Sequence, residues 1–206
     1  MGEAAPGLFA APPSESDLVW EEVDALMPVA AARQATGRWR LDDAPDRFDA
    51  QDWWFRLRFD AAAPTPGSTQ VLGLDGLATL AEVWLNGRRL LQSDNMFVAH
   101  ECDVSDSLKT GANELVMVFR ALDAALGQRR PRPRWRTPMV SHQQLRWFRT
   151  TLLGRTPGWS PPAAVVGPWR RVWLATRQRG DMASACQTPV LHAQLEGSAG
   201  LVHCSM

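Results

Sequence analysis

The sequence predicts an all-β fold, an antiparallel β-sandwich, and a few stretches carry that prediction. From Leu80 onward, Val83 and Leu85 alternate around Trp84, the period-2 pattern of a strand with one face in a core. Asn86-Gly87 follows. A type I′ hairpin turn needs positive φ at both central positions, which this pair tolerates best. The segment DWWFRLRFD, residues 52–60, sets Trp53, Phe55, Leu57 and Phe59 on one face and Trp54, Arg56, Arg58 and Asp60 on the other. An antiparallel strand covered on one side reads in this way. After the break at Gly111-Ala112-Asn113, the continuous apolar run Leu115 to Phe119 predicts a more deeply buried strand.

Taken in order, residues 1–17 are rich in Ala, Pro, Gly and Ser and are expected to form a flexible arm. Leu18 to Ala35 carries the only helical spacing, interrupted by Pro28, so at most two short helical pieces are expected. Asp42, Asp43, Pro45 and Asp46 mark turns before the strand at 52–60. Val71 to Ala78 reads as a strand leading to the hairpin, and residues 92–99 as a loop carrying Asp94, Asn95, Met96 and Phe97. Ala121 to Gly127 suits a helical turn. The segment RRPRPRWR, 129–136, holds two prolines and cannot be regular. It reads as a solvated loop over an anionic or hydroxyl-rich site. Leu145 to Leu152 alternates apolar and basic residues and is predicted to be a strand. Thr156 to Pro162 is a rigid loop presenting Trp159, and Val165 to Leu174 closes the domain with a strand. A boundary is expected within 176–188, leaving a sandwich domain over 18–177 and, over 178–206, a linker and the first strands of a second β domain.

Twenty-two basic residues balance twenty-two acidic ones, so bulk charge argues for neither nucleic acid nor an anionic membrane as partner. No run of about 18 apolar residues offers a membrane span. Cys102, Cys186 and Cys204 are odd in number and lack metal-ligand spacing, so reduced structural thiols are expected. The first residues show neither a basic n-region nor an apolar h-region, and a cytoplasmic location is the expectation. No cofactor is implied. Ten tryptophans and no tyrosine give the chain large flat apolar faces, which suit both β cores and the stacking of sugar rings.

Motifs for catalysis are missing: there is no G-x-S-x-G, H-E-x-x-H or phosphate-binding loop. Asp42, Asp43, Asp46 and Asp49 look like turn and surface residues, and no carboxylate pair is marked for general acid work. The expected catalytic set is therefore empty. A binding role has more support. Trp159 sits among prolines that restrict its backbone before any ligand arrives, and Asp94 and Asn95 are candidate hydrogen-bonding partners for hydroxyls.

DWWFRLRFD, then LDGLATLAEVWLNGRRLLQSDNMFVAHECDVSDSL, GANELVMVF and finally GPWRRVWL resemble, in order and spacing, the N-terminal sugar-binding domain of glycoside hydrolase family 2, nearest its β-mannosidase branch. The resemblance runs from Trp20 to Leu174. It implies a jelly-roll, galactose-binding-like sandwich, followed by an immunoglobulin-like domain and then a catalytic barrel with two glutamates, which it places beyond Met206. No carboxylate of this chain inherits their role. It also implies that a loop before the closing strand, typically W-D-W-G-P, reaches the active site and bonds the terminal sugar. Counted back from Gly167, this chain has Pro157-Gly158-Trp159-Ser160-Pro161 there. Trp159 and Pro161 match, whereas Gly158 replaces the aspartate, a departure that bears on mannose specificity. The expected substrate-binding residues are Trp159, Gly158, Ser160, Asn95 and Asp94.

Two functions follow from these features. One is the non-catalytic lobe of a retaining exo-glycosidase acting on terminal β-linked sugars, inactive alone and working with the barrel of the full-length protein. The other is a free-standing carbohydrate-binding or adaptor module. What the gene encodes after Met206 distinguishes them.

Overall fold

The computed structural model describes residues 1–131, 134–178, 190–197 and 199–205. The strands are β1 (Gly2–Ala4), β2 (Asp52–Ala61), β3 (Ser68–Leu74), β4 (Leu77–Ala78), β5 (Ala81–Leu85), β6 (Arg88–Ser93), β7 (His100–Asp103), β8 (Gly111–Phe119), β9 (Gly167–Pro168), β10 (Val172–Gln178), β11 (Val190–Glu196) and β12 (Ala199–Ser205). The described residues also form two short α-helices, α1 (Val29–Ala35) and α2 (Leu122–Leu126), and 3-10 turns at Phe48–Ala50 and Gln143–Trp147.

Strands β1-β2-β8-β5-β6 form a five-stranded sheet and β10-β3-β7 a three-stranded one, with every pair antiparallel. A single apolar cluster joins them: Phe55 from β2, Leu74 from β3, Val83 and Leu85 from β5, and Met117 and Phe119 from β8. That shared core makes the molecule a β-sandwich, as the sequence predicts. Asn86 and Gly87 take φ of 51° and 82°, the left-handed pair that turns β5 into β6. The turn is tied down from outside it: the Asn86 side chain donates to Ser107 O at 2.7 Å and to Asn113 Oδ1 at 2.8 Å.

Trp53 and Phe55 enter the central core as the alternation of β2 predicts, while Leu57 on the same face stays 37% exposed. On the opposite face the first residue, Trp54, is fully buried, against Trp84, Val116, Val118 and Ala4, with Phe9, Leu18 and Trp20 laid over them. The rings of Trp54 and Phe9 meet edge to face at 6.3 Å, and the Arg56 guanidinium covers Trp20 at 4.2 Å. The N-terminal segment, expected to be a flexible arm, instead adds β1 to the edge of the five-stranded sheet, paired to β2 through Gly2↔Trp54 and Ala4↔Asp52, and lays Phe9, Leu18 and Trp20 over the outer face as a third layer. Local composition does not reveal this, because the residues that anchor the segment, Ala4, Phe9, Leu18 and Trp20, are few and unevenly spaced among Ala, Pro, Ser and Gly.

Pro28 marks the start of α1, so one helical piece forms where two were allowed, and the Val29 N–H is satisfied by Val166 O at 2.8 Å. Leu145 to Leu152 is not the predicted strand. Residues Gln143–Trp147 make a 3-10 turn that buries Leu145 against Leu122 and Leu126 of α2. The His142 side chain accepts from Gln144 N at 3.2 Å and starts that turn. Only a single bridge, Asn95↔Arg149, pairs this segment with another. Cys102, on β7, is a free thiol whose pKa burial pushes up. β11 and β12 pair with each other as a hairpin, from Val190↔Ser205 to Glu196↔Ala199. The linker expected before them, residues 179–189, lies outside the described residues. No described helix is long and apolar enough to cross a membrane.

Candidate functional site

Trp159 stands 75% exposed at the tip of a compact turn. Its own N–H donates to Thr156 O at 3.0 Å, and Ser160 N donates to the same carbonyl at 3.2 Å. The Ser160 hydroxyl accepts from Gly154 N at 2.9 Å and lies 3.0 Å from Thr156 Oγ1. Thr156 Oγ1 is also 3.4 Å from Leu152 O, an acceptor only, so Thr156 donates there and Ser160 donates to Thr156. Ser160 therefore fastens the loop and has its proton committed to that work. Gly158, at φ +81°, supplies the left-handed residue of the turn, and a Cβ built on it meets nothing within 4 Å. The loop thus offers an indole face with open space beside it.

Beneath the loop, Arg155 is 4% exposed and holds the turn to the body of the sandwich. Its Nε donates to Asp49 Oδ2 at 3.0 Å and its Nη1 to Thr151 O at 3.1 Å. Sequence reasoning placed Asp49 among surface turn residues and did not single out Arg155. A buried arginine and a solvated one look alike in sequence, and its acid stands 106 positions away. A cleft of about 350 Å³ opens behind the loop, lined among others by Asp49, Asp123, His142, Thr156, Pro157 and Ser160. Asp46 is paired with Arg33, Asp49 with Arg155 and Asp123 with Arg47, so its carboxylates are neutralised, and the lining that remains is the Ser141 hydroxyl and the Nε2 edge of His142 beside the engaged hydroxyls of Thr156 and Ser160. Such a lining suits a neutral, hydroxyl-rich ligand better than an ion.

The second pair of expected site residues sits in another loop. Asp94 is exposed and makes no hydrogen bond among the described residues. Asn95 Oδ1 accepts from Phe97 N at 3.0 Å, which closes a local turn and commits its oxygen, leaving the amide N–H₂ to donate outward. Met96 is the anchor of this loop. Its N–H donates to Arg149 O at 3.0 Å, its sulfur accepts from Thr151 N at 3.0 Å, and its carbonyl accepts from Trp169 Nε1 at 2.8 Å. Trp169 is only partly buried, and Phe97 packs edge to face on it at 6.3 Å. Segment 149–151 links the two loops: it clasps Met96 on one side, and through Thr151 O it holds Arg155 on the other. No described hydrogen bond joins Asp94 or Asn95 directly to residues 157–160.

Three described carboxyls are held below the usual range: Glu15 by its hydrogen bond from Arg58, Glu101 by that from Arg177, and Asp17 by bonds from Ser14. A general acid for glycoside cleavage needs the opposite shift. Among the described residues, no group of three or more His, Cys, Asp or Glu is placed to hold a metal ion.

The model of one family, glycosyl hydrolase 2 galactose-binding domain-like, matches residues 40–170. A protein named beta-mannosidase B from Thermothelomyces thermophilus is 35% identical over 133 residues, 59% of this chain and 14% of its own length. Its namesake from Aspergillus flavus is 40% identical over 68 residues, 33% of this chain and 8% of its own. The chain therefore spans a small part of the relatives it matches. Among solved structures, a β-D-mannosidase from Dictyoglomus thermophilum superposes with a TM-score of 0.63 at 22% identity, covering 92% of this chain and 23% of its own. An exo-chitosanase from Amycolatopsis orientalis gives 0.54 at 15% identity over 95% of this chain and 22% of its own. Those two likenesses establish the shared sandwich fold.

Proposed function

Because the chain belongs to the glycosyl hydrolase 2 galactose-binding-domain-like family, we propose that it is the non-catalytic sugar-binding lobe of a retaining exo-glycoside hydrolase. The substrates are terminal β-linked sugars, β-mannosides first among them, and the partner is a catalytic barrel elsewhere in the full-length protein. The observation that carries this reading is Trp159, held 75% exposed on a loop fastened by Ser160, Thr156 and the buried Arg155. An indole left in water costs free energy and serves no packing role, whereas a sugar's C–H face stacks on it. The names of the curated relatives support mannosides as the substrate class. The free thiol of Cys102 supports a reducing, cytoplasmic setting.

In the complete gene product, Trp159→Ala should lower kcat/KM on nitrophenyl β-glycosides by about 1–3 kcal/mol, the loss of one aromatic contact to the sugar. Thermal unfolding should be unchanged, because the ties of the loop run through Thr156 and Ser160 rather than through the indole. An unaltered kcat/KM would take Trp159 out of the site.

Gly158 tests the sugar preference. Space beside it admits a side chain, and aspartate is among the residues that tolerate its positive φ, at a cost of about 1–2 kcal/mol. Gly158→Asp should raise the ratio of mannoside to glucoside kcat/KM relative to the parent protein. A falling or constant ratio across a glycoside panel would show that position 158 does not read the sugar.

A further inference from the structure

Before the closing strands, a cleft of about 630 Å³ is lined by Arg129, Arg130, Trp135, Arg136, Gln143 and Arg146 among others. None of these four arginines forms an ion pair with a carboxylate among the described residues. Elsewhere the balance of charge is used locally: Arg33, Arg38, Arg47, Arg56, Arg58, Arg120 and Arg155 all face acids. In a chain with equal numbers of acidic and basic residues, this cleft concentrates positive charge that no described carboxylate pairs with.

The cleft is also built. Arg146 is fixed by four contacts: Nε donates to Gln143 O at 2.7 Å, Nη2 to Gln143 Oε1 at 2.7 Å and Nη1 to Trp135 O at 3.1 Å, while its guanidinium lies 4.3 Å from the centre of the Trp135 ring. Gln143 is itself held, its Nε2 donating to Thr137 O at 2.6 Å. The guanidinium of Arg130 is parked over Phe148 at 4.9 Å, and its Nε is buried with no acceptor among the described residues. Trp135 stays 62% exposed even with Arg146 against it. An indole braced by a cation, beside arginines lacking acids, presents a flat apolar face next to unfilled anion-binding donors.

From this juxtaposition we infer that the cleft binds an oxyanion carried on a saccharide, either the carboxylate of a uronic acid or a phosphate ester. The ring stacks on Trp135, and the anion takes charge-assisted hydrogen bonds from Arg129, Arg130 and Arg136. The site is separate from the loop at 156–160, and its failure leaves the reading of that loop intact.

Calorimetric titration of the 206-residue chain with glucuronate, mannose 6-phosphate, mannose and inorganic phosphate tests it. Both charged sugars should bind more tightly than mannose, with affinity falling as salt rises. The tighter of the two identifies the source of the anion. The double variant Arg129→Gln/Arg136→Gln should weaken charged sugars about 10- to 100-fold, the worth of one or two charged hydrogen bonds. Its fold should survive, because both side chains are exposed and make no hydrogen bond among the described residues. Trp135→Ala should weaken the charged sugars and leave inorganic phosphate unaffected. The inference is overturned if neither charged sugar binds, if the arginine variant binds them unchanged, or if inorganic phosphate binds as tightly as they do. Tighter binding of hexaglutamate or of a short oligonucleotide would overturn it too, by making the cleft a docking surface for another polymer.

Discussion

Trp54→Ala should cost about 3–5 kcal/mol of unfolding free energy, read as a lower urea midpoint at unchanged slope. The indole is fully buried, and what covers it is the N-terminal segment: Ala4 lies beside it on the edge strand β1, and Phe9, Leu18 and Trp20 close over it from outside the five-stranded sheet. Truncation leaves a cavity between two layers that cannot both collapse into it, because β2 is held by its ladder to β8 over nine residue pairs. The shortfall should be smaller for Trp54→Phe, on the order of 1–1.5 kcal/mol, since an aromatic swap keeps most of the volume. Loss of the indole N–H offsets part of that cost, because it is buried without an acceptor among the described residues. A double-mutant cycle with Phe9→Ala should show coupling of about 0.5–3 kcal/mol, as contacting residues do. If Trp54→Ala unfolds like the parent, the arm is a loose tail and the third layer has no energetic meaning.

This prediction separates what the sequence shows from what it hides. Strands whose partners lie across a turn or along one sheet were legible, because alternation and the Asn86-Gly87 turn are local signals. Residues 52–60, 81–85, 88–91 and 115–119 all fall in strands, with the turn at Asn86-Gly87 where it is expected. Alternation alone misled at residues 145–152. A strand needs a free ladder to join, and this segment meets one bridge at Arg149 while Leu145 finds its burial on α2. The exposed aromatic of the candidate site was readable, since prolines around Trp159 announce a presented loop. What holds that loop was not. Arg155 and Asp49 form their pair across 106 positions, and Ser160, expected to meet a ligand, is engaged by Gly154 and Thr156 instead.

A second long-range carboxylate carries the other large effect. Asp52 is 1% exposed at the start of β2, and its two oxygens gather three donors from distant parts of the chain. Oδ1 accepts from Ala121 N at 2.8 Å; Oδ2 accepts from Arg120 Nη1 at 2.9 Å and from Gly7 N at 3.0 Å. One side chain therefore joins the N-terminal layer to the end of β8. Burial works against the charge of Arg120, and its bonds to Asp52 and Glu82 more than restore it, so its pKa rises. Asp52→Ala should destabilise the chain by about 3–5 kcal/mol, because it leaves a partly buried guanidinium short of one acid and strands two backbone donors. Glu82, 2.8 Å from Arg120 Nε, still shares that guanidinium's charge and keeps the loss toward the lower end. Asparagine is no remedy. Its carbonyl can serve Ala121, but its amide would then aim donors at Arg120 and Gly7, which are donors themselves. Urea unfolding of both variants should thus give similar, large losses. Limited proteolysis should cut first within residues 1–17, whose tie to β2 through Gly7 has gone. A neutral Asp52→Asn would mean that the arm and β8 are held without this carboxylate.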